Sequence, residues 1–198
     1  MSHDEPAPRS RPASILAGAA EIFGRQGFAG TSMREVATQT GMSLGAIYHH
    51  FENKEALLRA ILAENFERVR ASIEAKLEGV TSPVEMLRAF VSNHVAFFAA
   101  HLHEMRVMSH ELDTLTGPAA QEVAALRRRY AERATGILRA LRPDLDREEI
   151  RIASLCLFGM LNWTYRWFHT LPKGTDPQRI ADRMADIFLN GFAGVAEK

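Results

Sequence analysis

The sequence contains one cysteine, Cys156, among its 198 residues. A lone cysteine excludes intrachain disulfides and cysteine-rich zinc sites, and it is typical of proteins in a reducing compartment. The longest unbroken apolar run, residues 155–161, is far shorter than the roughly 20 residues that span a bilayer. The first residues have neither the basic start nor the apolar stretch of a signal peptide. We therefore expect a cytoplasmic protein with no membrane partner.

An excess of charge of one sign is also missing, because 24 basic residues balance 24 acidic ones. This balance gives no overall sign of a nucleic-acid partner. Hydrophobic residues make up 46% of the chain, which is close to the average of globular domains and excludes a wholly disordered chain.

Apolar residues recur with a helical period along almost the whole chain, and no segment alternates as a strand does. The sequence predicts an all-α fold of about nine helices. Their approximate ranges are 10–26, 32–41, 43–51, 54–78, 83–101, 102–115, 118–141, 146–171 and 175–196. Residues 1–9 are polar and proline-bearing, so we expect a disordered tail there.

Residues 32–51 have the spacing of two helices joined by a tight turn. Ala37 is small enough for a close approach, and Gly41 can adopt the positive φ of the turn. Ile47 and Phe51 lie four residues apart and anchor the second helix to a core. This pattern is typical of a helix-turn-helix, whose second helix enters a DNA major groove by its N-terminal end. Helical hairpins in ordinary bundles share the spacing, so it does not decide the function alone.

The segments around this motif closely resemble the TetR family of bacterial regulators. The matching segments are AAEIF at 19–23, GF at 27–28, GTS at 30–32, REVA at 34–37, IYHHF at 47–51 and ENKEALL at 52–58. The resemblance is specific over residues 10–60; beyond them only length, helix count and a final helix pair agree. It implies a helix-turn-helix DNA-binding domain over residues 10–56, with the motif at 32–51, and a ligand-binding and dimerisation domain over residues 57–198.

The resemblance also implies which residues meet DNA. Tyr48 and Lys54 occupy positions of the family's phosphate-contacting tyrosine and lysine. The second helix begins near Ser32, where free N–H groups suit a phosphate oxygen. The expected DNA-binding residues are Thr31, Ser32, Arg34, Ser43, Leu44, Gly45, Ala46, Tyr48, His49 and Lys54.

The predicted third helix departs from the family in having no formal charge. Many relatives carry a lysine or arginine at the position of Leu44. The segment from Arg9 to Lys54 has a net charge of +2. It contains five basic residues (Arg9, Arg11, Arg25, Arg34, Lys54) and three acidic ones (Glu21, Glu35, Glu52). We expect a shallow salt dependence, and base recognition by van der Waals contacts, His49 and DNA shape.

A second set of residues points to a ligand pocket. Apolar residues between Val84 and Leu102 share one helical face, which forms either plain core or the wall of a pocket. His94 on this face is either a core histidine with satisfied hydrogen bonds or a ligand contact. The resemblance implies a pocket, and the expected ligand-binding residues are His94, Phe98, Met105, Met108, Trp163 and Arg166.

The helix around residues 155–161 is apolar on every side, so both of its faces must be covered. The last helix offers a second apolar face, and two such helices from each of two chains make a four-helix interface. We therefore expect a homodimer. The expected interface residues are Cys156, Gly159, Trp163, Trp167, Met184, Ile187 and Phe188.

The segment NWTYRWF at 162–168 resembles part of the C-terminal body of relatives that sense acyl-CoA esters. This resemblance implies an inducer with a long apolar tail and a polyanionic head, whose phosphates would meet Arg106, Arg127, Arg128 or Arg166. The alternative for residues 127–129 is a solvated helix face. For Arg166 it is a salt bridge beside the interface.

Together these features predict a dimeric repressor that binds a palindromic double-stranded operator and leaves it when a hydrophobic small-molecule inducer binds. An activator, or a repressor that has lost its ligand, belongs to the same class. The alternative from another class is a helical ligand-binding protein or enzyme whose three-helix head does not bind DNA.

We predict no catalytic residue, cofactor or metal site. His94, His101, His103 and His110 are too far apart along their helices, or point to different sides, to share one metal. Cys156 has no adjacent base that would make it a nucleophile.

Overall fold

The computed structural model describes residues 10–192 and is built from helices. Within that range nine helices have seven residues or more, one further helix is a single turn, and no residue is in a strand. In chain order the helices are α1 Arg11–Gln26, α2 Met33–Thr40, α3 Leu44–His50, α4 Lys54–Leu77, α5 Pro83–Ala100, α6 Leu102–His110, α7 Gly117–Leu141, α8 Arg147–Asn162, the single turn α9 Thr164–Trp167, and α10 Pro177–Phe192. The predicted all-α fold is confirmed. The expected tail at 1–9, with its basic Arg9, and the end of the last helix at 193–196 lie outside the described residues.

One predicted helix is divided in the structure. The sequence predicted a helix that continues from residue 146 to about residue 171, but α8 ends at Asn162 and is followed by α9 and a 3-10 turn, Phe168–Thr170. The Thr164 hydroxyl donates a hydrogen bond to the Leu161 carbonyl at 2.8 Å, and Thr164 and Tyr165 are buried. The prediction was wrong because periodicity alone does not show that the chain turns here to bury Tyr165.

Side-chain caps fix where most helices begin. Ser32 and Glu35 form a reciprocal capping box at α2, in which each side chain bonds the other residue's main-chain N–H. Ser43, Asn53 and Ser82 cap α3, α4 and α5 through their side-chain oxygens, and Asp146 accepts two main-chain N–H bonds at the start of α8. The predicted starts of these helices are confirmed.

Helices α1–α3 form a small N-terminal head around a shared apolar core. Ile15, Val36 and Ile47 are fully buried in it. Gly41 ends α2 with a φ of +67°, a conformation that costs glycine little because it has no Cβ. The turn therefore sets α3 across α2 as the motif predicts.

Helices α4–α10 form the body, and α5 lies at its centre in contact with α4, α7 and α10. The domain boundary expected at residue 56 falls inside α4, which is one continuous helix. Leu57 and Leu58 near its start and Ile73 near its end are all fully buried. Head and body are thus joined through a rigid element rather than a linker.

A second junction joins the head to the body through α1 and α6, which pack along each other. At Gly24 a Cβ atom would lie 2.9 Å from the main-chain oxygen of His103, so only glycine allows the two backbones this close. No helix among the described residues is long and apolar enough to cross a membrane.

Candidate DNA-binding surface and ligand cavity

Most of the residues expected to meet DNA lie on one surface of the head, formed by α3 and the start of α2. Tyr48 is 48% exposed although it is a large aromatic residue. Ser32, Arg34, Ser43, Gly45 and His49 are exposed as well, and Leu44, Ala46 and Lys54 are half-buried. We call this set the candidate DNA-binding surface. Ile47, on the opposite side of α3, is fully buried and holds the helix in place.

The prediction for Thr31 was wrong. Thr31 is only 3% exposed, and its hydroxyl donates to the Gly27 carbonyl at 2.8 Å. The Thr31 N–H donates to the Phe28 carbonyl, and the Ser32 N–H donates to the Glu35 carboxylate. Neither N–H is therefore free for a phosphate, because the loop and the capping box use both.

Lys54 has an internal role that the sequence did not reveal. Its Nζ donates to the carbonyls of Phe28 and Thr31, both at 2.7 Å, and lies 4.2 Å from the centre of the Phe28 ring. An ammonium group has three donors, so two of them hold the loop between α1 and α2. Lys54 thus positions the start of α2 from the first turn of α4.

The candidate DNA-binding surface has little charge. Between residues 31 and 54 Arg34 and Lys54 are balanced by Glu35 and Glu52. The serine hydrogen bonds of the capping box lower the pKa of Glu35, which keeps this carboxylate ionised. Contacts with a phosphate backbone therefore rest on few positive groups.

The body contains a cavity of about 650 Å³ between α4, α5, α6, α7, α8 and α9. Five of the six expected ligand-binding residues line it: His94, Phe98, Met105, Met108 and Trp163. Trp163 is 58% exposed. Other lining residues include Phe66, Ser109, His110, Arg127, Tyr130, Ser154, Leu155, Phe158 and Tyr165. The wall is predominantly aromatic and aliphatic, as in sites for apolar ligands.

Arg166, the sixth expected ligand-binding residue, does not line this cavity. It is exposed, and its guanidinium lies over the Trp163 ring at 5.5 Å. Arg166 instead lines an adjoining groove of about 380 Å³ together with Gly24, Arg106, His110, Tyr165 and His169. We call this the basic groove because none of its lining side chains is acidic.

The cavity and the basic groove share His110 and Tyr165. The Tyr165 hydroxyl and His110 Nε2 lie 2.8 Å apart. This pair of residues lies at the boundary between the cavity and the basic groove. Sequence reasoning missed Tyr165 because it expected one unbroken helix there.

A pair of buried polar side chains forms part of the cavity wall. His94 Nδ1 lies 3.1 Å from the Tyr130 hydroxyl, and both residues are at most 3% exposed. Burial lowers the pKa of His94 to about 3 and raises that of Tyr130, so both groups are neutral at pH 7. Sequence reasoning missed Tyr130, although its position three residues after Arg127 placed it on the same helical face.

An apolar face of α8 and α10 is exposed in the single chain. Leu155 is 64% and Ile187 65% exposed; Cys156 and Gly159 are exposed, and Trp167 and Phe188 are half-buried. Met184 is only 6% exposed, so its assignment to the interface was wrong because it belongs to the core of its own chain. We use the name α8–α10 face for the exposed and half-buried residues of this region, which are Ile152, Leu155, Cys156, Gly159, Met160, Trp163, Trp167, Ile187 and Phe188.

Among the described residues no group of three or more histidine, cysteine, aspartate or glutamate side chains is placed to hold a metal ion.

Two family models match the chain. Residues 15–61 match the model of bacterial regulatory proteins of the TetR family, and residues 80–192 match that of the tetracycline-repressor-like C-terminal domain. The repressor Rv1474c of Mycobacterium tuberculosis is 32% identical over 188 residues, which cover 91% of both chains. The regulator UidR of Escherichia coli is 39% identical over 84 residues, 42% of this chain; the match spans only 43% of UidR.

Solved structures share the fold over nearly the whole chain. A TetR-family regulator from Bordetella parapertussis 12822 superposes with a TM-score of 0.85 at 27% identity, over 96% of this chain and 100% of its own. AibR, solved in complex with isovaleryl coenzyme A and operator DNA, superposes with a TM-score of 0.80 at 27% identity, over 90% of this chain and 97% of its own. Together with the two domain matches, these likenesses confirm the resemblance inferred from the sequence. The chain belongs to the TetR family of bacterial regulatory proteins.

Proposed function

We propose that the protein is a dimeric, cytoplasmic transcription repressor that leaves a palindromic operator when a hydrophobic inducer occupies the cavity. The observation that carries the proposal is the place of α6. Met105 and Met108 of this helix line the cavity, and the same helix packs against α1 of the head. One rigid element therefore touches both the ligand space and the DNA-binding domain.

The α8–α10 face supports the dimer. Dimers are typical of the family, and large exposed apolar side chains such as Ile152 and Ile187 mark protein–protein contacts. A two-fold dimer carries two α3 helices, which suit half-sites about one DNA turn apart. The interface we propose consists of Ile152, Cys156, Gly159, Met160, Ile187 and Phe188.

The proposed mechanism is a shift between two arrangements of the heads. Ligand in the cavity displaces α6 and α4, and both helices contact α1. The heads of the dimer then move out of the spacing that DNA requires, so ligand and operator compete through conformation. No catalytic step is needed, and we propose that the protein is not an enzyme.

For the inducer we propose an acyl-CoA or a similar amphiphile. The cavity accommodates an apolar tail, and the adjoining basic groove offers Arg106 and Arg166 to anionic groups. Guanidinium groups bind phosphate oxygens in a bidentate manner. The likeness to AibR, solved with isovaleryl coenzyme A, supports this class of ligand.

Fluorescence anisotropy with DNA upstream of the protein's own gene tests the DNA-binding role, and selection from random sequences identifies an operator located elsewhere. The wild type should bind a specific sequence, and Tyr48→Ala should weaken binding at least tenfold without lowering the melting temperature. Tyr48→Phe keeps the ring and removes only the hydroxyl, so its comparison with Tyr48→Ala separates the contribution of the hydroxyl to DNA binding from that of the ring. A folded dimer that selects no sequence from the random pool would overturn the proposal.

A thermal-shift titration tests the ligand. Acyl-CoAs should raise the melting temperature more than free fatty acids or planar cationic drugs do. Replacing Arg106 and Arg166 by alanine should remove this preference, whereas Arg128→Ala on the exposed face of α7 should not. Absence of a shift with every acyl-CoA would rule out this class of inducer.

A further inference from the structure

The cavity wall contains one polar nitrogen that no group of the protein satisfies. His94 Nε2 is buried and has no hydrogen-bond partner, while Nδ1 of the same ring faces the Tyr130 hydroxyl at 3.1 Å. An unpaired buried polar group has lost its hydrogen bonds to water without gaining others, and this destabilises the folded protein. A buried nitrogen of this kind on the wall of a ligand cavity is expected to gain a hydrogen-bond partner when the ligand binds.

The hydrogen bond to Tyr130 fixes the chemical character of this nitrogen. If Nδ1 donated to Tyr130, the buried tyrosine hydroxyl would have no acceptor and Nε2 would also be unpaired. If the hydroxyl donates instead, Tyr130 is satisfied and a single unpaired group remains. A neutral imidazole carries one proton, so in that arrangement the proton is on Nε2. The cavity wall thus contains a buried N–H donor.

We propose that the cavity is specific for a ligand with an uncharged carbonyl-type acceptor, which accepts a hydrogen bond from His94 Nε2–H. This inference rests on the proposed ligand-binding role of the cavity and specifies the chemistry of its ligand. Ketone, ester, thioester and amide oxygens all meet the requirement.

The surroundings of His94 disfavour a charged partner. The Phe98 ring centre lies 4.5 Å from that of His94, and Tyr130 and Phe158 lie at 6.1 and 6.3 Å. These rings offer no cation to balance a carboxylate, whose removal from water is unfavourable when no positive charge accompanies it. A neutral oxygen fits this environment at a smaller cost.

Binding to Nε2 also requires a movement. Because Nε2 is covered by protein atoms in the structure, a ligand oxygen reaches it only when a neighbouring side chain is displaced. The rings of Phe98 and Phe158 lie beside the imidazole on the cavity wall, with ring centres 4.5 and 6.3 Å from that of His94. A ligand that forms this bond therefore rearranges the wall that α5 and α8 contribute.

The tautomer of His94 can be measured on the unliganded wild-type protein by nitrogen NMR of its imidazole ring. We expect a protonated Nε2 and an unprotonated Nδ1. Tyr130→Phe should change this pattern, because it removes the hydroxyl that donates to Nδ1. A wild-type ring protonated at Nδ1 would overturn the proposal without involving any ligand.

Undecan-2-one and 2-methylundec-1-ene are matched probes, because they differ only in C=O against C=CH₂. The wild type should bind the ketone about five- to tenfold more tightly, as one hydrogen bond allows. His94→Phe keeps a ring of similar size and should reduce this ratio to about one. Ser154→Ala, which alters another polar residue of the cavity wall, should leave the ratio unchanged.

The outcomes separate this inference from the proposed function. If both probes bind the wild type equally, the carbonyl requirement is wrong, and the apolar cavity still binds ligand. If neither probe binds, the ligand-binding role of the cavity and the inference are both wrong. If His94→Phe lowers the melting temperature too far for titration, two measurements on the wild type test the inference: the tautomer of His94 and the ratio of the affinities for the two probes.

Discussion

The carboxylate of Glu111 accepts the main-chain N–H of Phe28 at 3.0 Å and so joins the body to the head. Glu111 directly follows α6, and its second oxygen accepts the Thr114 hydroxyl at 2.9 Å. Phe28 lies in the loop that Lys54 holds from the other side. A displacement of the end of α6 therefore acts on the loop that leads into α2.

Removing the Glu111 side chain should weaken communication between cavity and DNA. In Glu111→Ala the Phe28 N–H loses its partner, so we expect the ligand to reduce operator affinity less than in the wild type. Ligand affinity of the free protein should stay within about twofold, since Glu111 does not line the cavity. Operator titrations with and without ligand measure the effect. Glu111→Gln retains an acceptor oxygen and should behave like the wild type; equal losses in both variants would contradict this role.

Replacement of Lys54 should destabilise the protein as well as weaken DNA binding. Lys54→Met keeps the apolar stem and loses both carbonyl contacts, so the free energy of unfolding should fall by about 1.5–3 kcal/mol, the range for hydrogen bonds to charged groups. Urea denaturation monitored by circular dichroism measures this change. Lys76→Met, at an exposed position of the same helix, is the control. Unchanged stability in Lys54→Met would mean that Lys54 does not hold the loop.

A charge on the α8–α10 face should separate the dimer. Ile187→Glu places a carboxylate at the proposed interface, and burying it unpaired costs several kcal/mol. We expect sedimentation velocity to show a monomer, with operator affinity reduced at least tenfold. Val84→Glu introduces the same charge at another exposed apolar residue, 42% exposed on α5, and should remain dimeric. A dimeric Ile187→Glu would place the interface elsewhere.

Mild acid should destabilise the fold through His94. Its pKa is about 3 in the folded protein against 6.5 in the unfolded chain, so between these values only the unfolded state takes up the proton. Stability therefore falls as pH decreases below 6.5, by roughly 1 kcal/mol between pH 7.5 and 5.5 from this group alone. Denaturation of wild type and His94→Phe at both pH values isolates the contribution. An identical pH dependence of the two proteins would contradict a neutral, buried His94.

The sequence predicted the local elements of the head well because short-range signals determine them. The caps Ser32, Ser43 and Asn53 and the turn at Gly41 act within a few residues, and the structure confirms all four. Periodicity identifies buried positions but not the neighbour that covers them. For this reason Met184 was assigned to a partner chain although its own chain buries it.

The cavity was only partly predictable from the sequence. His94 and Phe98 share a helical face and were found together, whereas Tyr130 and Phe158 come from distant helices and join them only in the folded chain. The internal bonds of Lys54 depend on a contact across 23 and 26 residues. Contacts of this kind are set by how helices pack, which no local pattern encodes.

The most direct test of the account is the affinity of the ligand with and without saturating operator DNA, measured by isothermal titration with the acyl-CoA that raises the melting temperature most. Coupling between two sites is reciprocal, so operator should weaken ligand binding by the same factor as ligand weakens operator binding. A factor of about 5–150 is typical of allosteric proteins. Equal ligand affinities in the presence and absence of operator would show that the cavity does not control DNA binding.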